Sequence, residues 1–151
     1  AGWNLDILGE GPERGALQNL IRELGLSTEV KLVGVVAEPW AWLNQARAFI
    51  LPSRYEGFPN ALLEAMSMGC VSIAADCPSG PADIIFDGRN GILVPSEDVD
   101  ALVAALDRIA TEPAEAMQMS DRARAVRERF DIQQIMHKWD RLLCADVKRQ
   151  A

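Results

Sequence analysis

One histidine, His137, stands in 151 residues. It lies beside the apolar stripe of a C-terminal helical pattern and reads as a solvated surface side chain. No GxSxG surrounds Ser53 and no histidine is near it in sequence, so a hydrolase triad has no support. The cysteines are three, Cys70, Cys77 and Cys144. An odd count without CxxC spacing argues against a disulfide framework and a zinc site. Buried, reduced thiols of a cytoplasmic protein are the simpler reading. Basic residues are scarce: 15 Lys and Arg against 22 Asp and Glu give a net charge of −7. That balance disfavours nucleic acid and anionic membrane surfaces as partners. No apolar run approaches the ~20 residues of a membrane span.

Nearly half the residues, 49%, are hydrophobic, which suits a packed domain and not a disordered chain. The whole of 1–151 reads as one domain, without repeat, linker or low-complexity stretch. Short apolar runs alternate with helical patterns. Strands are predicted at Trp3–Leu8, Val30–Val33, Ala48–Leu51, Val71–Ala75 and Gly91–Val94. The first helix carries Leu17, Leu20, Ile21 and Leu24 at helical spacing and stops at Gly25. Further helices are predicted at Pro39–Ala46, Asn60–Met68 and Pro81–Phe86. A long one then carries Val99, Leu102, Val103, Leu106 and Ile109, with Asp98 as N-cap. Helix continues through Pro113–Glu128. A final stripe is formed by Ile132, Ile135, Met136, Trp139, Leu142 and Leu143. The strands are continuously apolar and the connections short, the pattern of a doubly wound parallel α/β sheet, here with extra C-terminal helices.

Such a sheet binds ligands beyond the carboxyl ends of its strands. That directs attention to Gly9–Gly11, Gly34–Ala37, Ser53–Asn60 and Asp76–Pro81. The most informative segment is Ser53 to Met66, which follows a strand and opens a helix. Gly57 allows close approach of backbone to ligand. Pro59 suits a first helical turn. Amides of Gly57, Phe58 and Asn60 at the helix start would form an anion site for a diphosphate. Glu64, about one turn in, could accept from both hydroxyls of a ribose. Glu56 stands in the loop, where a hexose on that diphosphate would lie.

Glu56 and Glu64 enclose seven residues, the E-x7-E arrangement of retaining glycosyltransferases with two facing Rossmann-like domains (GT-B). The sequence resembles the carboxy-terminal, donor-binding domain of the family numbered four. Leu8-Gly9-Glu10-Gly11-Pro12 is similar to its glycine loop, Val33-Gly34 to its second strand end, and Ser53–Met66 to its E-x7-E core. Ser79–Ile85 and Asp87–Pro95 are similar to its closing block. The resemblance spans roughly residues 3–110, and as an ordered set it is far more specific than any one segment.

The resemblance implies that Glu64 binds ribose and that Glu56, the catalytic candidate, contacts the donor sugar. Gly57, Phe58, Pro59 and Asn60 meet sugar and phosphates. Gly9 and Gly11 line the donor cleft, and Val35 and Val36 border the base. It implies no metal and no cofactor. The donor would be a nucleotide diphosphate sugar, UDP-linked by preference, and the acceptor a glycan or a lipid-linked glycan. The opening Ala1-Gly2-Trp3 reads as a cut. The first strand and helix of the sheet, the family's Arg and Lys on the diphosphate, and the acceptor domain are therefore expected outside the chain, which alone would be inactive. The expected location is cytoplasmic, peripheral to a membrane in the full-length protein.

Two rivals stand beside this reading: half of a sugar-nucleotide epimerase, or a non-catalytic module that binds a partner through Trp40, Trp42 and the last helix. Gly9-x-Gly11 followed by Gly15 is not a clean GxGxxG, and spacing slightly disfavours NAD. Trp40 and Trp42 read as packing or interface residues. Trp139 reads as core-facing. Arg122, Arg124, Arg127 and Arg129 read as a solvated helix face.

Overall fold

The computed structural model describes residues 2–147. They form five strands and eight helices in two compact units, divided between Pro39 and Trp40.

The first unit contains β1 (Leu5–Leu8), α1 (Arg14–Glu23) and β2 (Val30–Gly34). β1 and β2 are parallel, with Leu5 opposite Val30 and a register shift that sets Leu8 opposite Gly34. A parallel pair needs a crossover, and α1 supplies it. Gly25 ends this segment at φ +68, a left-handed conformation in which glycine carries no Cβ penalty. Of the predicted core stripe on α1, only Ile21 is buried; Leu17, Leu20 and Leu24 are exposed.

The second unit opens within α2 (Pro39–Leu43), from Trp40 on. It comprises β3 (Ala48–Leu51), α3 (Asn60–Met68), β4 (Val71–Asp76), α4 (Pro81–Ile84) and β5 (Ile92–Pro95). Four helices close it: α5 (Val99–Thr111), α6 (Pro113–Ala123), α7 (Val126–Arg129) and α8 (Ile132–Val147). The strands lie in the order β3-β4-β5, all parallel. Val71 to Ala75 on the central β4 are all buried. Successive strand residues face opposite sides. Ala74 accordingly joins Leu62, Met66, Ile84, Ile85, Ala123 and Val126 on one face. Val71 and Ile73 join Ile92, Val94, Ala105, Ile109 and Met119 on the other. Helices therefore cover both faces, which is why β4 reads as continuously apolar.

The five strands are thus divided between a two-stranded and a three-stranded sheet.

Local rules account for most element ends. The Asp98 side chain accepts from the Ala101 N–H at 2.9 Å and caps α5. Gly69 ends α3 at φ +88, with its N–H turned back to Ala65 and Met66. Asn90, only 6% exposed, satisfies itself locally: its carboxamide oxygen accepts from Phe86 N–H at 2.7 Å and its Nδ2 donates to Ile84 O. Cys70 and Cys77 are buried as expected, whereas Cys144 is exposed. Burial pushes the Cys70 thiol up, against the pull of Arg124, and its Sγ lies 3.1 Å from Leu43 O.

The helix expected through Pro113–Glu128 is present in two pieces, α6 and α7. One expectation for the C-terminal helices fails. The α8 stripe is not core-facing: Ile132, Met136, Trp139, Leu142 and Leu143 are exposed, and nothing among the described residues covers them.

Candidate functional site

In the second unit parallel pairing puts the loops after β3, β4 and β5 at one end of the sheet. The longest of these, Pro52–Pro59, carries Glu56, Gly57, Phe58 and Pro59 and feeds α3. Pro59 is the N-cap and Asn60 the first helical residue, where the sequence reading began this helix.

The start of α3 offers free donors, though not quite the predicted set. The Asn60 N–H is taken by Phe58 O at 2.9 Å, so it is not available as drawn from sequence. Leu62 and Leu63 donate to Pro59 O. Among the described residues the amides of Gly57, Phe58 and Ala61 make no hydrogen bond to the protein. These unpaired donors lie at the positive end of the helix, the arrangement that receives anions. Ala61 was missed because nothing in its side chain advertises a backbone role.

Glu64 lies one turn on from Asn60, and both are exposed. Residues i and i+4 share a helix face. The opposite face of α3, with Leu62, Ala65 and Met66, is sealed in the core. Glu64 is thereby held on the solvent side of the same helix start. Glu56 is half-buried in the loop. Neither carboxylate is engaged in an ion pair among the described residues.

Three contacts hold the loop. Arg54 pairs with Glu97, in the loop after β5, at 2.8 Å. Pro59 is buried against Gly80, in the turn after β4; a Cβ at Gly80 would stand 2.5 Å from Pro59 Cδ. The Phe58 ring meets Phe130 with centroids 5.9 Å apart. Sequence singled out Ser79-Gly80-Pro81 without assigning it this role. Phe130 carried no signal at all, because the contact closes across the whole second unit.

Gly9, Gly11, Val35 and Val36 lie in the first unit. Gly9, at φ +116, donates to Gly34 O at 2.8 Å and ties the glycine loop to the end of β2. Glu10 and Arg14 pair at 2.6 Å, and Arg14 also donates to Leu32 O. A depression of about 220 Å³ beside this loop is lined by Gly9, Gly11, Arg14 and Leu17 among others. Val35 is 78% exposed and Val36 half-buried. Trp40 and Trp42 are exposed. Among the described residues no three His, Cys, Asp or Glu side chains group as metal ligands, and no helix is long and apolar enough to cross a membrane.

Parallel strands joined by helices, with loops gathered beyond the strand ends, define an α/β fold of the Rossmann-like type. Residues 1–112 match the family model of the group 1 glycosyl transferases, and the chain belongs to that family. It is 39% identical over 153 residues to an exopolysaccharide phosphotransferase of Streptomyces coelicolor, covering 99% of this chain and 16% of that protein. It is 40% identical over 111 residues to the lipopolysaccharide 1,6-galactosyltransferase of Salmonella typhimurium, covering 71% of this chain and 31% of that enzyme. A TarM mutant of S. aureus, solved with UDP, Fondaparinux and alpha-GlcNAc-glycerol, superposes with a TM-score of 0.86 at 26% identity, over 92% of this chain and 28% of that one. The chain thus spans well under half the length of these proteins.

Proposed function

We propose that this chain is the donor-binding domain of a retaining glycosyltransferase. The whole enzyme would move a hexose or N-acetylhexosamine from a UDP-sugar to a glycan or lipid-linked acceptor. One observation carries the reading: free amides at Gly57, Phe58 and Ala61 open α3, and the unpaired carboxylate of Glu64 stands one turn behind them. The UDP bound by the TarM mutant supports the choice of nucleotide.

In this mechanism the amides receive the diphosphate and offset the charge that grows on it as the glycosidic bond breaks. Glu64 accepts from the ribose hydroxyls, and Glu56 orients the sugar. The acceptor hydroxyl is brought by a further domain, and neither metal nor cofactor takes part. The protein works in the cytoplasm, at the membrane where its acceptor is lipid-linked.

Calorimetry of UDP against the parent chain and Glu64→Ala tests the ribose role. A hydrogen bond to a charged group contributes about 1.5–3 kcal/mol, so the variant should bind roughly 10- to 150-fold more weakly. Equal binding by the two would remove the nucleotide from α3 and favour the partner-binding module, for which Trp40 and the exposed face of α8 are the specific observation. The name of the Streptomyces relative, an exopolysaccharide phosphotransferase, raises phosphotransfer instead. In the full-length protein, release of UDP marks glycosyl transfer and release of UMP marks phosphotransfer.

A further inference from the structure

The segment 53–58 takes part in no strand ladder, and none of its N–H groups bonds to another backbone carbonyl among the described residues. Side chains therefore set its course. Of the three contacts, Arg54–Glu97 joins side chains that are 72% and 63% exposed. Such a pair restrains little. Pro59 against Gly80 fixes only the end of the loop. The remaining restraint is Phe58 on Phe130.

Phe130 sits at the elbow where α7 ends and α8 begins, and the elbow is itself clamped. Arg129 Nη1 donates to Ile84 O at 3.0 Å, and Nη2 donates to Asp83 O, both at the end of α4. Its guanidinium lies over Phe86 at 4.7 Å and over Phe130 at 4.9 Å. Planar stacking and forked donation together suit arginine and not lysine. Arg129 is thus no solvated helix charge, as the sequence suggested; it is half-buried and satisfies two carbonyls.

We propose that Phe130 is a positioning residue for the donor site, acting through Phe58 to hold the Gly57 and Phe58 amides toward the diphosphate, with Arg129 locking the elbow that presents it. The proposal rests on the donor reading given above. It makes the C-terminal helical segment part of the site although it touches no ligand.

The test is made in the intact protein with UDP as probe, on Phe130→Ala, Phe130→Tyr, Phe58→Ala and the Phe58→Ala/Phe130→Ala pair. Two quantities are read: UDP affinity, and the backbone order parameters of Gly57 and Phe58 from nitrogen-15 relaxation. Phe130→Ala should lower both order parameters and weaken UDP about 2- to 10-fold, the span of an aromatic pair. Phe130→Tyr, which keeps the ring, should restore both. Because Phe130 acts through Phe58, the double variant should bind no worse than Phe58→Ala alone. Unchanged order parameters, unchanged affinity, or additive losses in the double variant would each overturn the proposal. If Phe130→Ala loses its cooperative unfolding transition, Phe130→Leu, which keeps bulk but not the ring contact, is judged by the same criteria. Failure of the parent itself to bind UDP would sink the donor reading, whereas the order parameters still decide whether Phe130 braces the loop.

Discussion

Gly80 shows how much one missing Cβ can decide. Its φ of +107 lies where side-chain-bearing residues are strained, and its bare Cα faces the Pro59 ring. Neither constraint can be relieved cheaply, since the neighbour is a rigid ring at the mouth of a helix. Gly80→Ala should lower stability by about 1–3 kcal/mol, read as a shift in the urea midpoint at constant m-value. On the proposed function it should also weaken UDP beyond what stability explains, because the displaced atom belongs to the loop assigned there to the donor. Unaltered binding would confine Gly80 to a folding role. Glu56 and Glu64 stood out as candidates for the opposite reason. A carboxylate in a glycine-bearing loop and another one turn into the next helix form a pattern of residue types, whereas Phe130 is an ordinary aromatic whose role exists only in three dimensions.

At the scale of elements, ends proved easier to read than partners. Asp98 was identifiable because a cap is a local transaction between one side chain and the third amide beyond it. Asp98→Ala should destabilise the protein by about 1 kcal/mol, measured by thermal or chemical unfolding. No loss would mean that water or another group replaces the carboxylate. Gly25 was similarly plain, whereas Gly69, which ends α3 at φ +88, was not singled out. The faces of α1, α5 and α8 were read less well. Hydrophobic spacing shows that a helix has an apolar side, but not whether anything stands against it. On α5 the buried positions are Ala105 and Ile109, while Val99 and Val103, both in the predicted stripe, are exposed. The break between α6 and α7 had no proline or glycine to announce it.

Across the whole molecule, the parallel α/β character followed from the alternation of apolar runs and helical patterns, and all five predicted strands are present. Their division into two sheets did not follow, because apolar runs specify strands and not their neighbours. The uneven distribution of the core was equally hidden. Ile21 is the one buried hydrophobic residue described before Leu43, whereas the second unit holds two clusters on either side of β4. Depth of burial in that second unit has a chemical corollary at Asn90-Gly91. This dipeptide is prone to deamidation when the glycine nitrogen can attack the asparagine carboxamide through a succinimide. In the fold the carboxamide is gripped at both its oxygen and its nitrogen, and Gly91 is packed so tightly that a Cβ would lie 2.9 Å from Ser72 O. Conversion to aspartate or isoaspartate should therefore wait on unfolding, with peptide mass spectrometry showing Asn90 intact in buffer and converted in urea at the same mildly alkaline pH. Equal rates in the two solvents would refute this. Otherwise each modified molecule carries a lasting record of time spent unfolded, written at a site that the native chain keeps closed.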